Sequence, residues 1–290
     1  MSLRLEMLQV SRLAPAVLGE DASAQIARFA HSKLDPCGGF WDRDGQPDLY
    51  YTSFGVDILT ALQRDLPEAL PGFLAAQDPA ALDFVHLCCL IRLMSAVPAP
   101  KPGGDLFARL EGYRSGDGGY NQAAGAASGS AYACLLAYGA YADHGREPPD
   151  NAGIAACLGG LAQPNGGWAN DRDFPITNAP ATAAAVTLSR NLMLPVPPET
   201  PGFLQSCFHG TSGGFVPFPG APLPDLLSTA VALHALDGLQ ADIAPMKERC
   251  LDFIDTLWSA DGGFHGNWDD DTLDLEYTFY GLLALGHLSL

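Results

Sequence analysis

Long apolar runs are missing from this sequence of 290 residues, in which no 18 consecutive residues are all apolar. A helix that crosses a bilayer needs about 20 predominantly apolar residues, so we expect no transmembrane segment. The N-terminal residues also lack the uninterrupted apolar core and the small-residue cleavage site of a signal peptide. These absences predict a cytoplasmic protein.

Basic residues are scarce as well. Lys and Arg number 15 against 33 Asp and Glu, which gives a formal net charge of −18 at pH 7. Nucleic acids and anionic membranes attract proteins through basic patches, so we expect neither as a partner. Hydrophobic residues make up 48% of the chain, which is enough apolar material for a sizeable core.

Cysteines with the C-x-x-C spacing of metal or redox sites are absent, and the cysteines are odd in number. Most of them lie within apolar helical patterns. Because free cysteine is among the most buried residue types, we predict that they are reduced core residues. The seven are Cys37, Cys88, Cys89, Cys134, Cys157, Cys207 and Cys250.

The β-branched alternation of strands is missing too, whereas an internal repeat is present. Two glycines followed by an aromatic residue recur, with spacings of 80, 48, 47 and 49 residues between the first glycines. The gap of 80 contains one degenerate unit, from Pro67 to Pro98, which keeps two helical patterns and has lost the glycines. The first glycines are Gly38, Gly118, Gly166, Gly213 and Gly262.

Each repeat unit reads as a helix, the glycine turn, a polar stretch and a second, more apolar helix. The glycines supply the positive φ that ends one helix and turns the chain into the next. Six such units predict an all-α fold, a single α6/α6 barrel or toroid with the more apolar helices inside. We assign residues 1–290 to one domain, with a short N-terminal extension at 1–20.

The second helix of a unit opens with Asp or Asn, followed four positions later by Thr. Asp or Asn at this position is a natural N-cap, because its side chain accepts hydrogen bonds from unpaired N–H groups of the first turn. All inner helices begin at the same end of the barrel, so a site is expected at that mouth. The pairs are Asp48 with Thr52, Asn178 with Thr182, Asp225 with Thr229, and Asp274 with Thr278.

These glycine turns, the segment Gln163–Trp168 and the Asp-x-x-x-Thr helix starts resemble the repeats of prenyltransferase β subunits and of squalene and terpene cyclases. The resemblance spans essentially the whole chain. It implies an α/α toroid that acts on an isoprenoid or a polyprenyl diphosphate. Prenyltransferase β subunits pair with a helical subunit, so the resemblance also allows for a helical partner here.

The prenyltransferases hold catalytic zinc with an Asp, a Cys and a His, and the resemblance places these ligands at Asp225, Leu227 and Tyr277. Zinc sites need three or four Cys, His or carboxylate donors, and Leu227 offers none, so we expect no zinc ion. Other candidate ligands, whose spacing does not gather them onto one ion, are Cys37, Asp83, His86 and His265.

Basic residues that would hold a diphosphate are absent from the loop at 215–224, where the family has them. Arg43 and Arg172 lie in other loops of the predicted mouth and are the candidates to replace them. Each arginine stands between two aspartates in the sequence, which favours a local, solvated salt bridge.

Class II terpene cyclases protonate an alkene or epoxide with the middle Asp of an Asp-x-Asp-Asp-Thr motif. In the same frame this chain has Asp274, Glu276, Tyr277 and Thr278. The resemblance therefore implies that Glu276 is the general acid, with Asp274 and Tyr277 beside it and Asp225 at a neighbouring helix start. A carboxyl group that faces an apolar cavity has a raised pKa and stays protonated.

Residues 267–276 contain five acidic side chains. Such a cluster is either a Mg²⁺ site, since Mg²⁺ prefers carboxylate oxygens, or a solvated acidic loop. A third interpretation comes from α/α toroids that process carbohydrates with paired carboxylates, for which Asp269, Asp271 and Glu276 are candidates.

Aromatic residues border the predicted mouth and suit an isoprenoid chain by apolar burial and by stabilising carbocations. The candidates for substrate contact are Trp41, Tyr50, Tyr51, Phe218 and Trp268. The aromatic residues that directly follow the glycines are instead interpreted as wedges between repeats. The leading hypothesis is an isoprenoid-handling enzyme that performs acid-initiated cyclisation or zinc-independent prenyl transfer, and the alternative is a non-catalytic binding or interaction scaffold.

Overall fold

Helices form nearly all the regular structure of the computed structural model, which describes residues 2–100 and 102–290. The helices are α1 (Leu3–Ser11), α2 (Pro15–Ser32), α3 (Leu49–Ala61), α4 (Leu70–Ala75), α5 (Phe84–Ala96), α6 (Leu106–Glu111), α7 (Ala131–Asp143), α8 (Asn151–Leu161), α9 (Ala179–Asn191), α10 (Thr200–Ser206), α11 (Leu226–Gly238), α12 (Lys247–Thr256) and α13 (Leu275–Leu288). A short 3₁₀ helix, Ala244–Met246, precedes α12. Within the described ranges, none of these helices combines the length and the apolarity needed to cross a bilayer.

The odd-numbered helices from α3 to α13 form a closed inner ring. Each of them packs against the next along the chain, and α13 packs against α3. The even-numbered helices from α2 to α12, which are shorter than the inner helices except for α2, alternate with them and lie outside. The predicted all-α barrel of six helix pairs is therefore confirmed, including the degenerate unit, whose pair is α4 and α5.

The glycine turns bring each repeat against its neighbour. Gly166, for example, has φ +85°, and a Cβ there would lie 2.7 Å from the backbone carbon of Glu199 in the next unit. The aromatic residues after the glycines are at most 4% exposed, in agreement with their interpretation as wedges between repeats. These are Phe40, Tyr120, Trp168, Phe215 and Phe264.

The repeated Thr ties each glycine turn to the start of its inner helix. In α11, Thr229 Oγ1 donates a hydrogen bond to the carbonyl oxygen of Asp225 (2.7 Å) and accepts one from the N–H of Phe215 (2.9 Å). The carboxylate of Asp225 accepts from the N–H of Ser228 and so caps the helix. The same arrangement recurs at α3, α9 and α13, and it explains why Asp or Asn and Thr repeat with a spacing of four.

Two small antiparallel ladders are present that the sequence did not predict. Strands β1 (Phe40–Trp41) and β2 (Pro47–Asp48) pair in the first repeat, and β3 (Trp168–Ala169) and β4 (Thr177–Asn178) in the fourth. They form where the polar stretch returns from the glycine turn to the helix start. With two residues per strand, no alternating pattern can appear in the sequence.

The prediction that the cysteines are reduced core residues holds for six of them and is wrong for Cys37. All seven are free thiols, and Cys37 alone is exposed. It lies in a turn, where its N–H donates to Asp35 Oδ1 and its side chain has no apolar helix face to join.

Helix α1 closes one end of the ring. It packs against α13, α3 and α7, the last of which lies across the ring from α13. Two ion pairs hold it there: Arg4 Nε lies 2.6 Å from Asp57 Oδ1, and Glu6 Oε1 lies 2.7 Å from Arg190 Nη1. The segment interpreted from the sequence as an N-terminal extension thus contains a helix that covers the barrel interior.

Candidate functional site

A cavity of about 390 Å³ lies inside the inner ring. The start of the inner helices borders one end of it, and Leu3 and Met7 of α1 line the other. Its walls are mostly Leu, Ala, Val and aromatic side chains, and Glu276 is the one acidic residue among the described residues that line it. The size falls in the range of about 300–1,000 Å³ that is typical of small-molecule sites.

The cavity wall follows the helical period. Counted from each N-cap residue, most of the inner-helix residues that line the cavity stand at the second, sixth or ninth position, as expected for one stripe of a helix. The second positions are Tyr50, Tyr132, Pro180, Leu227 and Glu276. The sixth positions are Leu136, Ala184, Val231 and Tyr280. The ninth positions are Arg92, Gly139, Thr187 and His234.

Glu276 and Tyr50 meet at the end of the cavity where the inner helices begin. The hydroxyl of Tyr50 donates a hydrogen bond of 2.7 Å to Glu276 Oε1. Burial raises the pKa of Glu276, and the nearby charge of Asp274 raises it further, while the Tyr50 hydrogen bond opposes the shift. Burial also raises the pKa of Tyr50, so its hydroxyl stays protonated and keeps donating.

Asp274 lies beside this pair with its carboxylate fully engaged and does not line the cavity. Its Oδ1 accepts from the N–H of Tyr277 and caps α13, while Oδ2 accepts from Arg43 Nη2 (2.6 Å) and Nε (2.8 Å). Arg43 also pairs with Asp270 at 3.1 Å. The prediction that Arg43 pairs with the aspartates beside it in the sequence is therefore wrong, because ring closure brings the last repeat against the first.

Tyr277, Asp225 and Arg172 lie outside the cavity wall. The guanidinium of Arg43 stacks 5.5 Å from the ring centre of Tyr277. Asp225 is occupied as the cap of α11. Arg172 is about half exposed and lies 3.4 Å from Asp117 Oδ2, so the local pairing predicted for it is also wrong.

Of the five aromatic residues predicted to contact the substrate, Tyr50 lines the cavity and the other four do not. The indole N–H of Trp41 donates to Asp35 Oδ2 (2.9 Å), and that of Trp268 donates to Thr256 Oγ1 (2.9 Å). Phe218 and Trp268 are 43% and 46% exposed. Tyr51 is half-buried on the side of its helix start that faces Arg43.

A family model described as the prenyltransferase alpha-alpha toroid domain matches residues 16–91 and 195–289. The chain belongs to this family. No match was found among curated protein sequences. The family model begins after α1, so the helix that closes the barrel lies outside the matched region.

Solved structures share the toroid fold at low sequence identity. A protein from Actinoplanes is 16% identical, with a TM-score of 0.62 over 93% of this chain and 99% of that one. The apo structure of the type II terpene cyclase MstE from Scytonema is 12% identical, with a TM-score of 0.55 over 93% of this chain and 97% of that one. At these identities the similarity shows the fold.

The residues that match the zinc positions of the family do not form a ligand set in this toroid. Leu227 lines the cavity as an apolar residue, and Asp225 and Tyr277 lie outside it. In the described part of the chain, no three His, Cys, Asp or Glu side chains gather as metal ligands. His86 instead lies between Asp83 Oδ1 (2.8 Å) and Asp48 Oδ2 (2.7 Å), which raise its pKa to about 9.

Several cavity residues of the toroid escaped sequence reasoning. They are Tyr132, Tyr280, Asn170, His234 and Arg92. All but Asn170 occupy the second, sixth or ninth position after an N-cap residue, so aligning the six helix starts would have found them. Asn170 comes from a loop, where it accepts hydrogen bonds from the N–H groups of Ala131 and Tyr132.

Proposed function

We propose that this toroid binds an isoprenoid in its cavity and starts cyclisation by transferring a proton from Glu276 to a terminal alkene or epoxide. The observation that carries the proposal is a single carboxyl group that lines a mostly apolar cavity and is held by Tyr50. An apolar wall favours a hydrocarbon chain, because its burial contributes about 0.8 kcal/mol per methylene group.

The environment of Glu276 suits a general acid. Burial raises its pKa, which favours the protonated form that the reaction requires. Oε1 accepts the hydrogen bond from Tyr50, which leaves the proton on Oε2. After transfer, the Tyr50 hydroxyl stabilises the new carboxylate. An alkene uses its π electrons to form the new C–H bond and leaves the cation on its other carbon, whereas an epoxide gains the proton on oxygen and leaves the cation on the carbon whose C–O bond breaks.

Three tyrosines suit the second half of such a reaction. Tyr50, Tyr132 and Tyr280 line the cavity, and the ring of Phe54 packs against both Tyr50 (5.0 Å) and Tyr280 (5.7 Å). Their faces carry partial negative charge and attract a cation. Burial raises the pKa of each tyrosine, so all three rings remain neutral phenols.

The charges at the site favour cyclisation over prenyl transfer. A leaving diphosphate needs cations that are free to bind it. Arg92, which lines the cavity, is paired with Asp143 at 2.8 Å. The arginines of the mouth loops are paired as well, Arg43 with Asp270 and Asp274, and Arg172 with Asp117. The carbohydrate interpretation is disfavoured because Asp269 and Asp271 are exposed and do not line the cavity with Glu276. The similarity to the type II terpene cyclase MstE is consistent with cyclisation through its fold alone.

The proposal is tested by incubating the purified protein in D₂O with squalene, farnesyl diphosphate and geranylgeranyl diphosphate. Cyclisation started by Glu276 is expected to give isomeric products that carry one solvent deuterium. Glu276→Gln should lower turnover by about 10²–10⁴-fold, the usual contribution of general acid catalysis, and leave substrate binding in native mass spectrometry intact.

Glu111→Gln is the matched control, because Glu111 also accepts hydrogen bonds from tyrosine hydroxyls, those of Tyr120 and Tyr141, but does not line the cavity. It should turn over like the unaltered protein. Undiminished turnover by Glu276→Gln would remove Glu276 from the reaction. Binding of all three isoprenoids without any product would instead support the non-catalytic scaffold.

A further inference from the structure

A pair of buried histidines lies at the end of the cavity opposite Glu276. His234 lines the cavity at the ninth position of α11, and His287 lies behind it on α13. The two residues are 6% and 2% exposed, and His234 Nδ1 lies 3.0 Å from His287 Nε2. The other ring nitrogen of His234, Nε2, is buried and has no hydrogen-bond partner within 2–100 and 102–290.

The pair connects to solvent through Asp237. His287 Nδ1 lies 3.4 Å from Asp237 Oδ2, and the Asp237 side chain is 48% exposed. This separation is longer than a close hydrogen bond, so the contact is chiefly electrostatic. His287 lowers the pKa of Asp237, which keeps the carboxyl group ionised.

The charge of Asp237 fixes the direction of the hydrogen bonds. An ionised carboxylate is only an acceptor, so it favours a proton on the facing nitrogen, His287 Nδ1. In neutral His287 the other nitrogen, Nε2, is then an acceptor, and His234 Nδ1 must be the donor. The lone pair of His234 is consequently on Nε2, the nitrogen that is left for a bound molecule.

We propose that His234 is the proton acceptor that ends the cyclisation, that His287 takes up the proton that His234 releases from Nδ1, and that Asp237 stabilises the resulting charge. The inference rests on the proposed function. A C–H bond next to the final cation breaks, its electron pair becomes the new C=C bond, and its proton goes to His234 Nε2. The Nδ1 proton of His234 moves to His287 Nε2, and the carboxylate of Asp237 stabilises the charge on His287 until a proton returns to solvent.

The positions of donor and acceptor fit this sequence of steps. Glu276 and His234 occupy the second and ninth positions of neighbouring inner helices, which differ by seven residues, or about 10 Å along the axis. One proton enters at the mouth and one leaves near α1, so the reaction conserves mass and oxidation state.

The charges around His234 keep it neutral until a cation arrives. Burial lowers its pKa to about 3, and His287 on α13 and Arg190 on α9 act in the same direction, while Asp237 on its own helix opposes them. Glu6 of α1 pairs with Arg190. A neutral imidazole does not repel the carbocation, and even a weak base accepts a proton from a carbon acid as strong as a carbocation.

The first test needs no substrate. Nuclear magnetic resonance of protein labelled with ¹⁵N-histidine, assigned through the signals missing from His234→Gln, should show neutral His234 with Nε2 unprotonated at about pH 6–8. In Asp237→Asn the opposite tautomer should gain population, because the charge that orients the pair is gone. A proton on His234 Nε2 in the unaltered protein would overturn the proposal.

The second test compares products. His234→Gln should still consume the substrate, but its yield of the alkene product should fall at least about tenfold below that of the unaltered protein. Alcohols that have gained one water should form instead, because water then reacts with the cation. His265→Gln is the matched control, because His265 Nδ1 also has no hydrogen-bond partner among the described residues, whereas His265 does not line the cavity.

The outcomes separate this inference from the proposed function. A wild-type product ratio in His234→Gln, together with an inactive Glu276→Gln, would overturn the role of His234 and leave the proposed function standing. A wild-type protein that forms no product from any isoprenoid would overturn the proposed function, and the role of His234 would fall with it.

Discussion

At the scale of single residues, the buried carboxyl group of Glu276 destabilises the fold and also provides the acid for the proposed reaction. Its carboxyl group lines an apolar cavity, so the charged form is disfavoured by burial. The Tyr50 hydrogen bond and the charge of Arg43 recover part of this cost. A residue placed only for stability would not be acidic at this position, which is why Glu276 stands out from Leu227 and Pro180 at the same position of other helices.

Glu276→Gln should raise the melting temperature at about pH 8 and leave it unchanged at about pH 4. The pKa of Glu276 in the folded protein lies above its ordinary value of 4.5, so the folded state binds the proton more tightly than the unfolded chain. The stability of the folded protein therefore falls as the pH rises through the folded pKa, and glutamine removes that loss. Calorimetry at the two pH values measures the difference in melting temperature between Glu276→Gln and the unaltered protein. An equal rise in melting temperature at both pH values would mean that the substitution acts through packing.

At the scale of elements, α1 determines the depth of the cavity. The family model begins beyond it, at residue 16, yet Leu3 and Met7 form the end wall. Leu5 points outward on the same helix and is 47% exposed. The length of an isoprenoid that the toroid accepts should then depend on the side chains of a helix that takes no part in the repeats.

Met7→Trp should shorten the longest isoprenoid that binds. If the larger side chain keeps two methylene groups of squalene in water, the lost burial is about 1.6 kcal/mol, or roughly tenfold in Kd. Geranyl diphosphate, a shorter isoprenoid that we expect to end before α1, should bind as before. Isothermal titration calorimetry with both ligands measures the difference, and Leu5→Trp is the control. Equal weakening for both ligands, or an effect of Leu5→Trp, would contradict this role of α1.

At the scale of the whole molecule, the last glycine turn closes the ring. Gly262 has φ +92°, and a Cβ there would lie 2.5 Å from the carbonyl oxygen of Gln25 in α2, the outer helix of the first repeat. Gly220 has nearly the same φ, +88°, but no atom of the residues that the structure describes lies within 4 Å of a Cβ at that position. Substitutions at these two glycines therefore share the cost of the positive φ and differ in the contact between the last and first repeats.

Gly262→Ala should destabilise the protein more than Gly220→Ala. Both substitutions place alanine in a left-handed conformation, at about 1–2 kcal/mol. Gly262→Ala also forces apart two backbones, which adds about 1–3 kcal/mol. Urea unfolding gives both free energies of unfolding, and equal values would mean that the first and last repeats are not tightly joined.

The fold followed from the sequence because its signals are local and repeated. The glycine turns, the helix caps and the Thr ties each depend on residues within about fourteen positions of one another, as for Phe215 and Thr229. Five glycine turns and four Asp/Asn–Thr pairs, together with the spacing that reveals the degenerate unit, give the number of helices and the end at which the mouth lies. The sequence also singled out Glu276, through its place between Asp274 and Thr278, and Tyr50, as an aromatic residue beside the mouth.

The partners within the site were decided by tertiary structure alone. Tyr50 meets Glu276 across 226 residues, Arg43 meets Asp274 across 231, and His234 meets His287 across 53. These contacts depend on the angle at which the repeats close and on which helix follows which around the ring. Helix α1 belongs to no repeat, so its sequence did not indicate that it lies over the barrel interior. The sequence determined the repeat and its mouth, and ring closure determined which side chains face each other inside.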